Sequence, residues 1–244
     1  MSAAIQPTIQ PPTPHASEML DVMRHAMQAS AANPQRDRGD VEIQPDPATV
    51  HITCAEPAIP PRFRVARLGQ FRDGLQEITD PAVRASQQVA FDAVTDWCKR
   101  VTGGEPAMLA LVGATGVGKS HLLYAAAYAL YRRNVRVYAQ PWYRLADALR
   151  YGGHSAWGTH RSLEAPQVRD EILGERVICL DDVRPTSGTT FDDTELGKII
   201  LDAWDRESAM LITTNVSPLT AVLSPPLASR FVQVVMTGAD RRHS

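Results

Sequence analysis

Long apolar runs are missing from this 244-residue chain. None approaches the roughly 18 residues that a membrane-spanning helix needs, so no membrane span is expected. Cysteine is scarce. Cys54, Cys98 and Cys179 are far apart and form no C-x-x-C pair, which argues against both a zinc site and a disulfide framework. Cys179 lies in an apolar run and reads as a small core residue. A strong positive charge is absent too. The formal charge is −2, which excludes a polycationic nucleic-acid coat but leaves room for a local basic patch. The N-terminus is polar and Pro-rich and shows no signal-peptide core, so a soluble cytoplasmic protein is expected. What is present is 44% hydrophobic residues, enough for one medium domain with a tail, or for two small domains.

Composition divides the chain near residue 61. Residues 1–61 hold 10 of the 18 prolines and carry 3 Arg against 7 Asp and Glu. Such a stretch buries little apolar surface and is expected to be mostly disordered. One segment stands out from it, a helix over 17–32. Met19, Leu20, Met23 and Met27 share one face there, and Ser17 is placed to cap. That stripe suits either docking to a partner protein or packing on the chain's own folded domain. Residues 62–244 carry 22 basic and 20 acidic residues and are expected to form the folded domain.

The domain is organised around Gly113-Ala114-Thr115-Gly116-Val117-Gly118-Lys119-Ser120, which reads G-x-x-x-x-G-K-S. The pattern is a phosphate-binding loop. Ala107–Val112 before it is strand-like, and His121–Tyr131 after it is helix-like, the context that the motif requires. The glycines let backbone N–H groups turn inward around a phosphate, and the helix N-terminus adds its positive end. Lys119 is placed to reach the β- and γ-phosphates, and Ser120 to offer its hydroxyl to Mg²⁺. ATP and Mg²⁺ are therefore the expected cofactors.

Periodicity predicts a helix over Asp80–Val101, with Val83, Val89, Ala90, Val94 and Trp97 on its apolar face and Pro81 in its first turn. Strands are predicted at Val135–Ala139, Val177–Asp182, Met210–Asn215 and Phe231–Met236. Helices are predicted at Trp142–Tyr151, closed by Gly152-Gly153, at Gln167–Leu173 and at Phe191–Arg206. Strands this apolar, alternating with helices, imply an α/β three-layer sandwich around a parallel sheet covered on both faces.

In such sheets ligands sit beyond the carboxyl ends of the strands. Four apolar residues followed by Asp181 form a Walker B pattern, with Asp181 expected to hold Mg²⁺. Asp182 stands where a Glu commonly polarises the attacking water. It is one methylene shorter, so slow hydrolysis is expected. Asn215 can orient the same water or simply form a turn. Arg230 either solvates a strand start or reaches another subunit's γ-phosphate. Arg241-Arg242 can meet phosphate in cis or remain solvated. Trp142, Tyr143, Arg144 and Arg150, with His154, Trp157, His160 and Arg161, set aromatics among cations. That pattern suits single-stranded DNA or a subunit interface.

Taken in order, Pro60-Pro61-Arg62-Phe63, the phosphate loop, Leu180-Asp181-Asp182, Ile212-Thr213-Thr214-Asn215, Ser229-Arg230-Phe231 and Gly238-Ala239-Asp240-Arg241-Arg242 resemble the AAA+ ATPases of the DnaC/DnaI helicase-loader group, to which the transposition helper IstB also belongs. The resemblance covers roughly residues 60–244. It implies a five-stranded AAA+ core with a minimal lid, nucleotide contacts from Gly113 through His121, and ATP-dependent homo-oligomeric assembly on single-stranded DNA. It also implies an N-terminal extension that grips a replicative DNA helicase. By the same matching Asn215 is similar to sensor 1, Arg230 to the arginine finger and Arg242 to sensor 2. With Lys119 and Asp182, Asn215 and Arg230 make up the candidate catalytic set. The tail before residue 60 matches no loader N-domain and lacks the cysteines of the zinc-bearing kind.

Four functions compete at this point. The leading one is an ATPase that loads or remodels a replicative helicase. A transposition helper that recruits a transposase shares nearly every ATPase residue. A nucleotide-gated adaptor with little hydrolysis is a third. A small-molecule kinase is disfavoured, since no acceptor pocket or Arg-rich lid follows the sheet.

Overall fold

In the computed structural model the described residues are 54, 56–154, 162–184 and 190–240, all within the unit Pro45–Ser244. The expected helix over 17–32 lies outside them, as do Trp157, His160, Arg161 and the Arg241-Arg242 pair.

Five parallel strands form the central sheet: β1 (Met108–Gly113), β2 (Val137–Pro141), β3 (Val177–Asp181), β4 (Ala209–Thr214) and β5 (Val232–Met236), in the order β2-β3-β4-β1-β5. β1, β3 and β4 are buried along their whole length, which is why they read as unbroken apolar runs with no polar face. Their side chains alternate between two cores. Leu109, Leu111, Val177, Cys179 and Leu211 enter one; Met108, Ala110, Ile178, Leu180, Met210 and Ile212 enter the other. Cys179 is thus the core residue that its neighbours suggest.

The first core is covered by α1 (Leu68–Gly74), α2 (Pro81–Thr102) and α3 (Lys119–Tyr131). Asp80 caps α2, its carboxylate accepting from Ala82 N and Val83 N at 2.8 and 3.3 Å. A cap of this kind is worth about 1 kcal/mol. Trp97 of α2 donates its indole N–H to the Ala107 carbonyl at 2.9 Å, which ties the helix to the start of β1. Ala90, Val94 and Trp97 face inward as expected, but Val89 is exposed. The second core is covered by α4 (Trp142–Tyr151), α5 (Ala165–Leu173) and α6 (Thr190–Asp205).

Residues ahead of Arg62 also pack on this unit. Ile59 is buried in the first core, and the Cys54 N–H donates to Asn134 Oδ1 at 3.2 Å. Three further pieces lack a clear periodic signal: α1, a short antiparallel pair joining Gly153–His154 to Ser162–Leu163, and the four-residue α7 (Pro225–Ala228). No helix among the described residues is long and apolar enough to cross a membrane.

Candidate functional site

β3, β4 and β1 are adjacent and parallel, so their carboxyl ends open on the same side. The phosphate loop leaves β1 there and turns into α3. Gly118, the residue before α3, has φ +104°, and a Cβ on it would come within 2.8 Å of the Phe71 ring. Gly116 has φ +83°, and a Cβ there would overlap the Asp240 carboxylate at 1.9 Å. Only glycine meets both the conformation and the space. Val117 points into the core, which leaves its backbone alone on the loop side.

Lys119 is buried, and its ammonium donates three hydrogen bonds of 2.7 Å, to the carbonyls of Gly113 and Ala114 and to Asn215 Oδ1. Asn215 in turn donates Nδ2 to Asp182 Oδ1 at 2.9 Å. The structure therefore joins the loop lysine, the end of β4 and the end of β3 in one hydrogen-bonded chain. Beside it, Ser120 Oγ donates to Asp181 Oδ1 at 2.7 Å, and Thr213 Oγ1 donates to the same oxygen at 2.6 Å. Burial pushes the Asp181 carboxyl above its usual range, the two hydroxyl donors pull it back, and the neighbouring Asp182 charge adds a further upward push.

Together these groups line a cavity of about 420 Å³, within the range of small-molecule sites. Its far wall is Arg62, Phe63, Gln70 and Phe71. Phe63 is held by stacking on Tyr124, with ring centroids 4.8 Å apart. His121 lines the cavity but is turned toward α1, its Nε2–H donating to the Arg67 carbonyl at 3.2 Å.

The structure does not bring Arg230 into this cavity. It lies after α7, donating to the Pro226 carbonyl with its guanidinium 5.3 Å from the centre of the exposed Trp204 ring. Arg242 falls outside the described residues. Trp142 is corrected as a base-stacking candidate, because it is 3% exposed and packs in the second core. Tyr143 and Tyr151, 58% and 77% exposed, are the aromatics that α4 presents, each with an arginine (Arg144, Arg150) within 6 Å of its ring.

Two polar residues in the site were not singled out from sequence. Thr213 is a hydroxyl on an otherwise apolar buried strand, a signal that was open to reading. Arg184 follows Asp182 by two residues and grips it with two N–H groups at 2.8 and 2.6 Å. No spacing rule points to that contact.

No protein-family model matches the chain, and no curated protein matches it. Solved structures do. The DnaC helicase loader is similar at a TM-score of 0.58 and 20% identity, over 73% of this chain and 100% of that one. DnaI is similar at 0.54 and 23%, over 75% and 94%. The replication initiator DnaA bound to AMPPCP and single-stranded DNA is similar at 0.56 and 22%, over 74% of this chain and 51% of that one. This chain thus spans about half the length of the DnaA chain. The fold, an α/β sandwich around a five-stranded parallel sheet with a phosphate loop after its first strand, is the one seen in DnaC, DnaI and DnaA.

Proposed function

We propose that this chain is an ATPase that binds ATP with Mg²⁺, assembles into a homo-oligomer on single-stranded DNA and loads or remodels a replicative DNA helicase. The observation that carries the nucleotide reading is the Ser120–Asp181 contact at 2.7 Å directly beneath the glycine loop. A hydroxyl and a carboxylate that close together are the kind of oxygen pair that would hold a hard cation alongside phosphate and water. The loop itself requires glycine, since a Cβ at Gly116 or Gly118 would collide with Asp240 or with the Phe71 ring.

In this reading backbone N–H groups from Gly113 to Ser120 hold the phosphates. Lys119 exchanges its three present acceptors for phosphate oxygens. Ser120 and Asp181 would hold the Mg²⁺, which when bound would neutralise charge on the phosphates. Asp182 accepts the proton of the attacking water, and Asn215 orients that water. The shorter Asp side chain makes the reaction slow. Arg230, half-buried beside Trp204 and outside its own subunit's cavity, supplies its guanidinium to the site of a second copy, and Arg242 serves as a cis phosphate contact. Tyr143, Tyr151, Arg144 and Arg150 offer stacking and charge to single-stranded DNA.

Fold likeness to the DnaC helicase loader favours a helicase over a transposase as the partner of the N-terminal stretch. The test is strand unwinding by a ring-shaped replicative helicase on closed single-stranded DNA, with and without the full chain and ATP. Unwinding that needs both supports the proposal. Capture of a transposase with no effect on the helicase would overturn it.

A further inference from the structure

Arg230 stands outside the cavity, yet two elements hold it in place. Its backbone is pinned on both sides. The Arg230 N–H donates to the Leu227 carbonyl at 3.2 Å, and the next residue, Phe231, is buried in the second core. Its Nη1 donates to the Pro226 carbonyl, which also accepts from Ser229 Oγ at 3.0 Å. The other element is α6. Its Trp204 ring has its centre 5.3 Å from the guanidinium carbon, within the range of a cation–π contact. Ala203, one residue earlier, is fully buried in the second core, so the helix is anchored where it carries the ring. Trp204 itself is exposed and belongs to neither core. Its large apolar ring therefore has no packing role to explain it. The guanidinium is only partly engaged. Nε is buried without an acceptor, and Nη2 makes no hydrogen bond among the described residues. Buried N–H groups without acceptors are rare, so hydrogen bonding alone does not account for where this side chain sits.

We infer that Trp204 is a positioning residue for Arg230, its ring holding the guanidinium beside α7 with Nη2 open for the nucleotide site of a second copy. This rests on the ATPase reading and on the trans role of Arg230 given above. A cation on an aromatic face keeps its charge and its in-plane N–H groups. The ring thus fixes the arginine without occupying the donors that a phosphate takes up. A long arginine loses rotamer freedom when it is fixed in another subunit's site, and one already held on a ring loses less at that moment. The site it serves is anionic, lined by Asp181 and Asp182 and, once occupied, by the ATP phosphates. Neither Trp204 nor Arg230 lines the cavity of its own chain, so the ring acts on turnover only through the contact between copies.

The test is steady-state ATP turnover of the full chain across protein concentrations, carrying Trp204→Leu, Trp204→Phe, Arg230→Ala or Trp204→Leu with Arg230→Ala, alongside binding of a fluorescent ATP analogue. Leucine keeps an apolar side chain without a π face, and phenylalanine keeps the face. Trp204→Leu is expected to lower the concentration-dependent part of kcat about two- to fivefold, the scale of an exposed cation–π contact. Trp204→Phe falls between wild type and Trp204→Leu. Analogue binding stays within about twofold of wild type in both, because ground-state binding is untouched. Made on Arg230→Ala, Trp204→Leu adds no further loss, since the ring acts through the guanidinium. Turnover unchanged or raised in Trp204→Leu, or a loss of the same factor with and without Arg230, overturns the positioning role. If Arg230→Ala still loses turnover in that case, the trans role of Arg230 stands. Turnover insensitive to Arg230→Ala overturns the trans role, and the positioning with it. Absence of analogue binding in wild type and every variant overturns the ATPase reading and both of these.

Discussion

Asp181 is a place where function and stability should conflict. It is 2% exposed, and burial raises its carboxyl above the usual range despite hydroxyl donors from Ser120 and Thr213. A raised folded-state value means that the folded chain holds the proton more tightly than the unfolded chain. Stability from this group is thus fully present below the unfolded value of about 3.9 and is lost as pH rises through the folded one. At neutral pH the ionised side chain costs stability. Asp181→Asn removes the charge and keeps an oxygen that accepts from both hydroxyls, so it should stabilise the ligand-free fold. Each pH unit between the folded and unfolded values corresponds to about 1.4 kcal/mol, or about 3–5 °C in Tm for a domain of this size. Thermal denaturation from pH 4 to 8 should show Asp181→Asn melting above wild type at pH 7–8, with the gap closing toward pH 4. Mg²⁺ with a non-hydrolysable ATP analogue should reverse the order. At 100 times its Kd the ligand adds about 2.7 kcal/mol to wild type, and the variant lacks the carboxylate proposed for the metal. A variant that melts below wild type at every pH, or a gap that widens toward acid, would refute the reasoning.

Lys119→Ala removes an ammonium with three 2.7 Å acceptors. Fluorescence titration should show ATP affinity about 10- to 100-fold weaker, the scale of a charge-assisted hydrogen bond of about 1.5–3 kcal/mol. Gly118→Ala forces a left-handed alanine against Phe71 and should lower the urea unfolding free energy by about 1–2 kcal/mol. Arg230→Ala removes a surface contact with Trp204. It should leave the fold within about 1 kcal/mol of wild type while cutting the concentration-dependent part of ATP turnover at least about tenfold. Unchanged turnover in that variant would remove Arg230 from the proposed trans role.

The sheet was legible because β1, β3 and β4 are buried on both faces and leave unbroken apolar runs between turn signals. Trp142–Tyr151 was legible as a helix by its period, but not by which aromatic faces out. Trp142 opens the helix against the core, whereas Tyr143, one residue on, is exposed. Boundaries moved where caps decide them. α3 begins at Lys119 rather than His121, because left-handed Gly118 is the residue before the helix, which therefore starts within the loop motif. α7 was hidden by Pro225-Pro226, which read as breakers although a first turn tolerates them. At the site, local spacing brings out the phosphate loop and the paired carboxylates. The chain from Lys119 through Asn215 to Asp182 joins residues up to 96 positions apart, and only the strand order β3-β4-β1 sets them side by side. Arg184 is close in sequence, but its grip depends on the left-handed turn at Asp182, which no residue pattern announces.

The most direct test of the central claim is ATP turnover by the full chain across protein concentrations, with and without single-stranded DNA, with Arg230→Ala run in parallel. The account predicts slow turnover that rises with concentration, rises further with DNA and collapses in Arg230→Ala. Turnover that is flat with concentration, indifferent to DNA and insensitive to Arg230 would contradict it.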